Sequence, residues 1–239
     1  MNENRNDDID KYSIENTDYS VGQDNIKKWG FDIHNPVFAI SSGLVLIFLI
    51  ATLLSDAATA KEMLDGLKWD IIGTFDSLFI WSGNIFVLFC LALIISPWGK
   101  IRLGGADARP EHSTISWLAM LFAAGMGIGL MFWGVAEPVA YLTGWYETPL
   151  GVEANTPEAA RMAMGATMYH WGLHPWAIYA VVALSLAFFA YNKGLPLSIR
   201  SIFYPLLGDR TWGWPGHIID TLAVLATLFG LATSLGLGA

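Results

Sequence analysis

From Val37 onward the chain returns repeatedly to uncharged apolar runs about as long as the ~20 residues that a bilayer core requires. Hydrocarbon offers no partners to backbone N–H and C=O groups, so runs of this length read as spanning helices, whose hydrogen bonds close within the segment. Apolar residues make up 54% of the 239 positions and charged residues only 14%, the balance of a polytopic membrane protein. The net charge of −8 is concentrated in tails and loops, and there is no basic stripe suited to nucleic acid. The single cysteine, Cys90, lies inside an apolar run and has no partner in the chain for a disulfide.

Residues 1–36 carry eight carboxylates against Arg5, Lys11, Lys27 and Lys28 and lack a helical apolar period, which predicts a disordered tail. The first span is expected at Val37–Ser55 and the second at Ser77–Pro97. Between them lies a polar loop, Asp56–Asp76, with room for a short amphipathic helix around Met63–Trp69. Trp98 stands where an interfacial anchor belongs, and a loop over 98–113 follows. A third span covers Thr114–Thr143, a fourth Met162–Tyr191, and a fifth opens near Asp220, where the carboxylate would cap the helix. The chain stops at Ala239 inside that fifth run, which reads as the end of an N-terminal fragment. Ten bases fall on the side of the N-terminus and three, Lys61, Lys68 and Arg161, on the other. The positive-inside rule then puts the N-terminus in the cytoplasm.

The third span holds the least regular stretch, LFAAGMGIGLMFWGVAEP over 121–138, with Gly125, Gly127 and Gly129 in alternation. Residues two apart on a helix point roughly 200° away from one another, so three such glycines cannot share a packing face. Each costs about 1 kcal/mol of helix stability relative to alanine. The stretch therefore reads as a deliberately broken helix whose freed carbonyls can ligate a small cation and whose freed N–H groups can hold a carboxylate. The competing reading is GxxxG packing through Gly125 and Gly129, which leaves Gly127 without a purpose. Glu137 beside Pro138 is either a proton relay or a structural pairing or capping group, the second being favoured.

In the fourth span, YHWGLHPWAIY over 169–179 places Trp171, Trp176 and Tyr179 within a roughly 140° arc if the helix is continuous. Aromatic faces so arranged suit a quaternary ammonium, which offers no hydrogen bond and is held by cation–π attraction; the alternative is an aromatic core or interfacial belt. His170 and His174 have the i, i+4 spacing of a metal pair, with no acid to complete a site. Thr227, Gly230, Ser234 and Gly238 share a face of the fifth span, for close packing or, through the hydroxyls, for cation ligation. No nucleophile, base and orienting group occur together, so an enzyme is not expected.

AAGMGIGLMFWGVAEP, the preceding RLGGADARPEHS, HWGLHPWAIY and the closing ATLFGLATSLGLGA together resemble the betaine/choline/carnitine transporter family, over Gly99–Ala239. That resemblance implies an all-α integral membrane fold of twelve helices, ten of them in two inverted five-helix repeats (LeuT-like). Residues 37–97 would be the two extra N-terminal helices, and 114–143, 162–191 and 220–239 the first three helices of the first repeat. It further implies secondary active uptake of glycine betaine or a related quaternary-ammonium osmolyte across the cell membrane for osmotic adaptation, with sodium as coupling ion and no organic cofactor. A homotrimer is the assembly it suggests. Trp171, Trp176 and Tyr179 would form the substrate box and its periplasmic-side aromatics, and Gly125, Gly127 and Gly129 would approach the substrate carboxylate. The backbone of Ala123 and Met126 would serve one sodium site, and Thr227 a second. Gly129 stands where proton-coupled choline carriers resemble one another in having Asp, which favours sodium. Leu231 stands where a sodium-coupled member has threonine, which weakens the Thr227 site. A proton-coupled choline or carnitine carrier and a channel-like facilitator are the alternatives.

Overall fold

The structure is a computed structural model that describes residues 17–125, 127–145 and 147–238. Four of its helical stretches are long and apolar enough to cross a membrane: Asn35–Leu54, Ala57–Ile95, Pro157–Asn192 and Trp214–Leu237. The chain is a multi-pass membrane protein, helical among the described residues apart from one hairpin. It divides into two compact units, one of residues 17–82, 100–107 and 182–229 and the other of residues 83–99, 108–181 and 230–238.

In the first unit, the segment expected as a disordered tail contains an ordered hairpin, β1 (Asn25–Lys28) paired antiparallel with β2 (Phe31–His34). Its two-residue turn puts Trp29 at φ 55° and Gly30 at φ 82°, the positive values that match the twist of a tight hairpin. Asn25 Nδ2 donates to Asp32 Oδ1 at 2.6 Å across the ladder, and Tyr19 stacks on Trp212 with centroids 4.2 Å apart. The hairpin runs directly into α1 (Asn35–Leu54), whose second residue, Pro36, needs no hydrogen-bond partner there. Residues 1–16 lie outside the described residues.

The polar loop expected at Asp56–Asp76 is also helical, because α2 runs without interruption over Ala57–Ile95. Asp56 is the reason it starts where it does: its Oδ1 accepts from Ala58 N at 3.1 Å and Thr59 N at 3.0 Å, satisfying donors that the first turn leaves free. Lys61 pairs with Asp65 one turn on, so the polar positions support the helix that they were expected to interrupt.

The third expected span is broken into α3 (Thr114–Gly125) and α4 (Ile128–Thr143), at the glycine stretch singled out from the sequence. Gly144, at φ 74°, closes α4 in the left-handed conformation. Then α5 (Pro157–His170) begins five residues before the expected start of the fourth span, capped by the Thr156 hydroxyl, which accepts from Ala159 N at 3.1 Å. A second break separates α5 from α6 (Leu173–Ala187), which continues into a π-helical turn at Phe188–Asn192. After the short α7 (Tyr204–Leu207), α8 covers Trp214–Gly238, so Asp220 lies well inside it and does not cap its start.

Packing in the second unit rests on small residues. Helix α5 turns Ala159, Ala163 and Thr167, spaced by four, toward the interior, and α4 contributes Ala140; all four are buried. Stripes of this kind let two helices approach closely where lipid supplies no hydrophobic force between them.

Candidate functional site at two helix breaks

The second unit brings the α3–α4 break and the α5–α6 break into one framework through the contact of α4 with α5. At the first break, Gly127 sits so near the end of α3 that a Cβ there would lie 2.9 Å from the Ala123 carbonyl oxygen. Its own carbonyl accepts from Met131 N at 3.2 Å and so starts α4. At the second break, a Cβ on Gly172 would lie 2.9 Å from Met168 O, while Trp171 N donates to Thr167 O at 3.0 Å. Each break thus has one position where any side chain would drive into backbone.

Glu137, inside α4, bonds to residues at the second break. It is only 3% exposed, and both carboxylate oxygens are used: His170 Nδ1 donates to Oε1 and Trp171 Nε1 to Oε2, each at 2.7 Å. A carboxylate this deep in apolar surroundings is tolerable only with such charge-assisted partners. The favoured structural pairing of Glu137 is what the geometry contains. His170 and His174 do not face a common point: His174 Nε2 meets Asn84 Oδ1 at 3.0 Å, on α2, because the break at 171–172 ends the i, i+4 relation. Among the described residues, no cluster of three or more His, Cys, Asp or Glu is arranged to hold a metal.

The expected substrate aromatics occupy different elements. Trp171 is the C-cap of α5, with φ −93° and ψ 5°, so it does not continue the helix on which the shared arc was reckoned. Its indole extends over α4, where a Cβ on Gly129 would lie 3.7 Å from Trp171 Cη2. Trp176 and Tyr179 lie together on α6, with ring centroids 6.1 Å apart. Gly129 and Trp171 therefore meet, as do Trp176 and Tyr179. Gly125 is the last residue of α3, Ala123 presents its carbonyl toward Gly127, and Met126, expected to serve a sodium site, lies outside the described residues.

Thr227 belongs to the first unit, on α8, where its hydroxyl donates to Ala223 O at 2.8 Å. That bond uses its proton and leaves the oxygen lone pairs free to accept or to ligate. An open groove of about 480 Å3, lined by Val37, Arg200, Asp220 and Thr227 among others, runs beside it.

The same unit holds a cluster that the sequence did not reveal. Buried Arg200 donates from Nε to Asp220 Oδ2 at 2.6 Å and from Nη2 to His34 Nε2 at 3.0 Å. His217 Nδ1 lies 3.4 Å from the same His34 nitrogen. Burial, and then the Arg200 charge, hold His34 below its ordinary pKa of 6.5, in keeping with a ring nitrogen that accepts from a guanidinium. These partners come from the hairpin, the 199–203 turn and α8, separated by long stretches of chain, so no local motif announces them.

The chain is similar to known proteins over most of its length. Residues 36–239 match the family model described as BCCT, betaine/carnitine/choline family transporter. The chain belongs to the BCCT family. Over 231 residues it is 80% identical to glycine betaine transporter 1 of Vibrio parahaemolyticus, covering 97% of this chain and 44% of that protein. A glycine betaine/proline/choline/ectoine transporter of the same organism is 67% identical over 229 residues, covering 96% of this chain and 41% of the relative. A third relative there, a glycine betaine/proline/choline transporter, is 50% identical over 248 residues, covering 96% and 44%. The BCCT chain described here thus spans less than half the length of these relatives.

Proposed function

We propose that this BCCT chain is part of a secondary active transporter that takes up glycine betaine or a related quaternary-ammonium osmolyte by sodium symport, for osmotic adaptation. The observation that carries the reading is the meeting of the broken α3–α4 segment with an aromatic at the second break, Trp171 against Gly129. A zwitterion with a trimethylammonium head needs both kinds of surface: aromatic faces for a cation that cannot hydrogen-bond, and backbone donors for its carboxylate. Gly127 and Gly129 border the second surface, while Trp171, Trp176 and Tyr179 supply the first. Glycine betaine stands in the names of all three relatives, in two of them beside proline and choline, which supports the solute class.

Sodium would be held by backbone oxygens near Ala123 and Met126, with Thr227 offering a hydroxyl oxygen for a second site. The absence of a carboxylate at Gly129 favours sodium over proton coupling. Ion and solute would then drive uptake by stabilising the same occluded state, a linkage that is necessarily reciprocal. The wider frame is a twelve-helix, LeuT-like inverted repeat in the cell membrane, with a cytoplasmic N-terminus and a homotrimeric assembly.

The test is uptake of labelled glycine betaine into proteoliposomes bearing the protein expressed from its complete gene, under a sodium gradient or an equal potassium gradient, with Trp176→Ala alongside. Accumulation that requires sodium and is weakened by the substitution is the expected result. Equal accumulation without sodium would sink the coupling, in favour of a proton-coupled choline-type carrier. Flux that never exceeds the external concentration at zero membrane potential would indicate a channel-like facilitator.

A further inference from the structure

We propose that Glu137 is a positioning residue for Trp171, holding the indole in the one orientation in which its face serves the quaternary ammonium. The inference rests on the substrate reading of Trp171 given above and adds a residue to that site.

The indole is held at both ends. Its Nε1 edge donates to Glu137 Oε2 at 2.7 Å, and its far corner, Cη2, rests over the backbone at Gly129. Glu137 and Gly129 belong to the same helix, α4, and a helical side chain leans back toward the N-terminus, so the carboxylate reaches toward the glycine. One helix therefore provides both a hydrogen-bond anchor and an open seat for a ring that grows from another. The anchor is needed because Trp171 sits at a helix end, where the chain leaves α5 and imposes no regular packing on the ring. Cation–π attraction requires the cation within about 6 Å of the ring centroid and over its face, so an indole free to swing would lose most of it.

Glu137 itself is not placed to contact the ammonium. It is 3% exposed and both of its oxygens already accept, whereas the His170 side chain is 65% exposed and forms the outward end of the trio. A buried carboxylate committed to two donors at one break acts through the group it holds. Its second donor, His170, immediately precedes Trp171 in the chain, so the carboxylate holds the side chains of two successive residues at the break.

The experiment compares wild type, Glu137→Gln, Glu137→Ala, Trp171→Phe, Trp171→Ala and the Glu137→Gln/Trp171→Phe double variant, each expressed from the complete gene and reconstituted. Initial rates of labelled glycine betaine uptake are measured across concentration. Positioning predicts a rise in KM of about 10-fold for Glu137→Ala with kcat changed less than about 2-fold, the loss of roughly one well-placed cation–π contact. Glu137→Gln, which keeps a carbonyl acceptor, recovers part of the loss. The double variant is no worse than Trp171→Phe alone, because Glu137→Gln weakens the same bond that Trp171→Phe abolishes. A fall in kcat at unchanged KM, or effects of Glu137→Gln and Trp171→Phe that simply add, overturns the proposal. Should Glu137→Ala fail to fold, the Gln and Phe cycle still decides it. Failure of the two readings is distinguishable. A KM raised by Trp171→Ala but unmoved by both Glu137 variants overturns positioning alone. A KM unmoved by Trp171→Ala, or no betaine uptake by wild type, overturns the substrate reading and this inference with it.

Discussion

Gly127 and Gly129 stand two residues apart, yet the structure asks different things of them. A methyl group on Gly127 would press to 2.9 Å from the Ala123 carbonyl oxygen, and backbone cannot swing aside as a side-chain tip can. On Gly129 it would meet Trp171 Cη2 at 3.7 Å, an ordinary contact. Gly127→Ala is therefore expected to destabilise by about 1–3 kcal/mol, as overpacking does, while Gly129→Ala stays within about 1 kcal/mol of wild type. Thermal unfolding of the two purified variants in one detergent checks the contrast, and equal losses would contradict it. The alternation of glycines pointed to a break; which glycine carries the steric demand depends on where the Ala123 carbonyl lies, and no spacing encodes that.

At the scale of elements, the N-terminal hairpin is the clearest departure from the sequence reading. Its composition is that of a disordered tail, but Trp29-Gly30 makes a tight turn, and the segment gains partners far along the chain: Tyr19 on Trp212 and His34 on Arg200. Those contacts carry a pH dependence. The packed His34 has its pKa lowered from 6.5 by burial and by Arg200, so on acidification the released segment takes up a proton that the packed one resists. The packing is therefore fully stable above about pH 6.5 and weakens as the pH falls below it. Asp24 and Asp220 act the other way but more weakly than burial and Arg200, and His217 adjoins the same nitrogen. Hydrogen exchange of the Asn25–His34 amides, corrected for intrinsic rates, should show lower protection near pH 5.5 than near pH 7.5, and His34→Gln should flatten the difference. Unchanged protection in wild type would refute the cluster's role.

At the scale of the molecule, α2 raises a question of placement. Its 39 residues make a rod of roughly 58 Å, about twice the hydrocarbon thickness, so its polar first half must stand outside the bilayer. In the proposed orientation, with a cytoplasmic N-terminus, that half would project on the opposite face, and Lys61 and Lys68 with it. On a Cys90→Ala background, Glu62→Cys is expected to react with a membrane-impermeant maleimide in right-side-out vesicles, and Arg102→Cys only in inverted ones. The reverse pattern would overturn the orientation taken from the bases.

Bilayer-length apolar runs and the broken third span were legible because each depends on local composition, which acts wherever the rest of the chain lies. The aromatic arc misled because it assumed a continuous helix through Trp171-Gly172, and the chain turns there. Glu137 was visible as a costly buried acid, but its partners were not, since the energy of the carboxylate is set by two donors that a second helix brings within 2.7 Å. The Arg200, Asp220 and His34 cluster was hidden altogether. Hydrogen bonds and charge pairs act over a few ångströms in space, and tertiary packing alone makes neighbours of residues so distant along the chain.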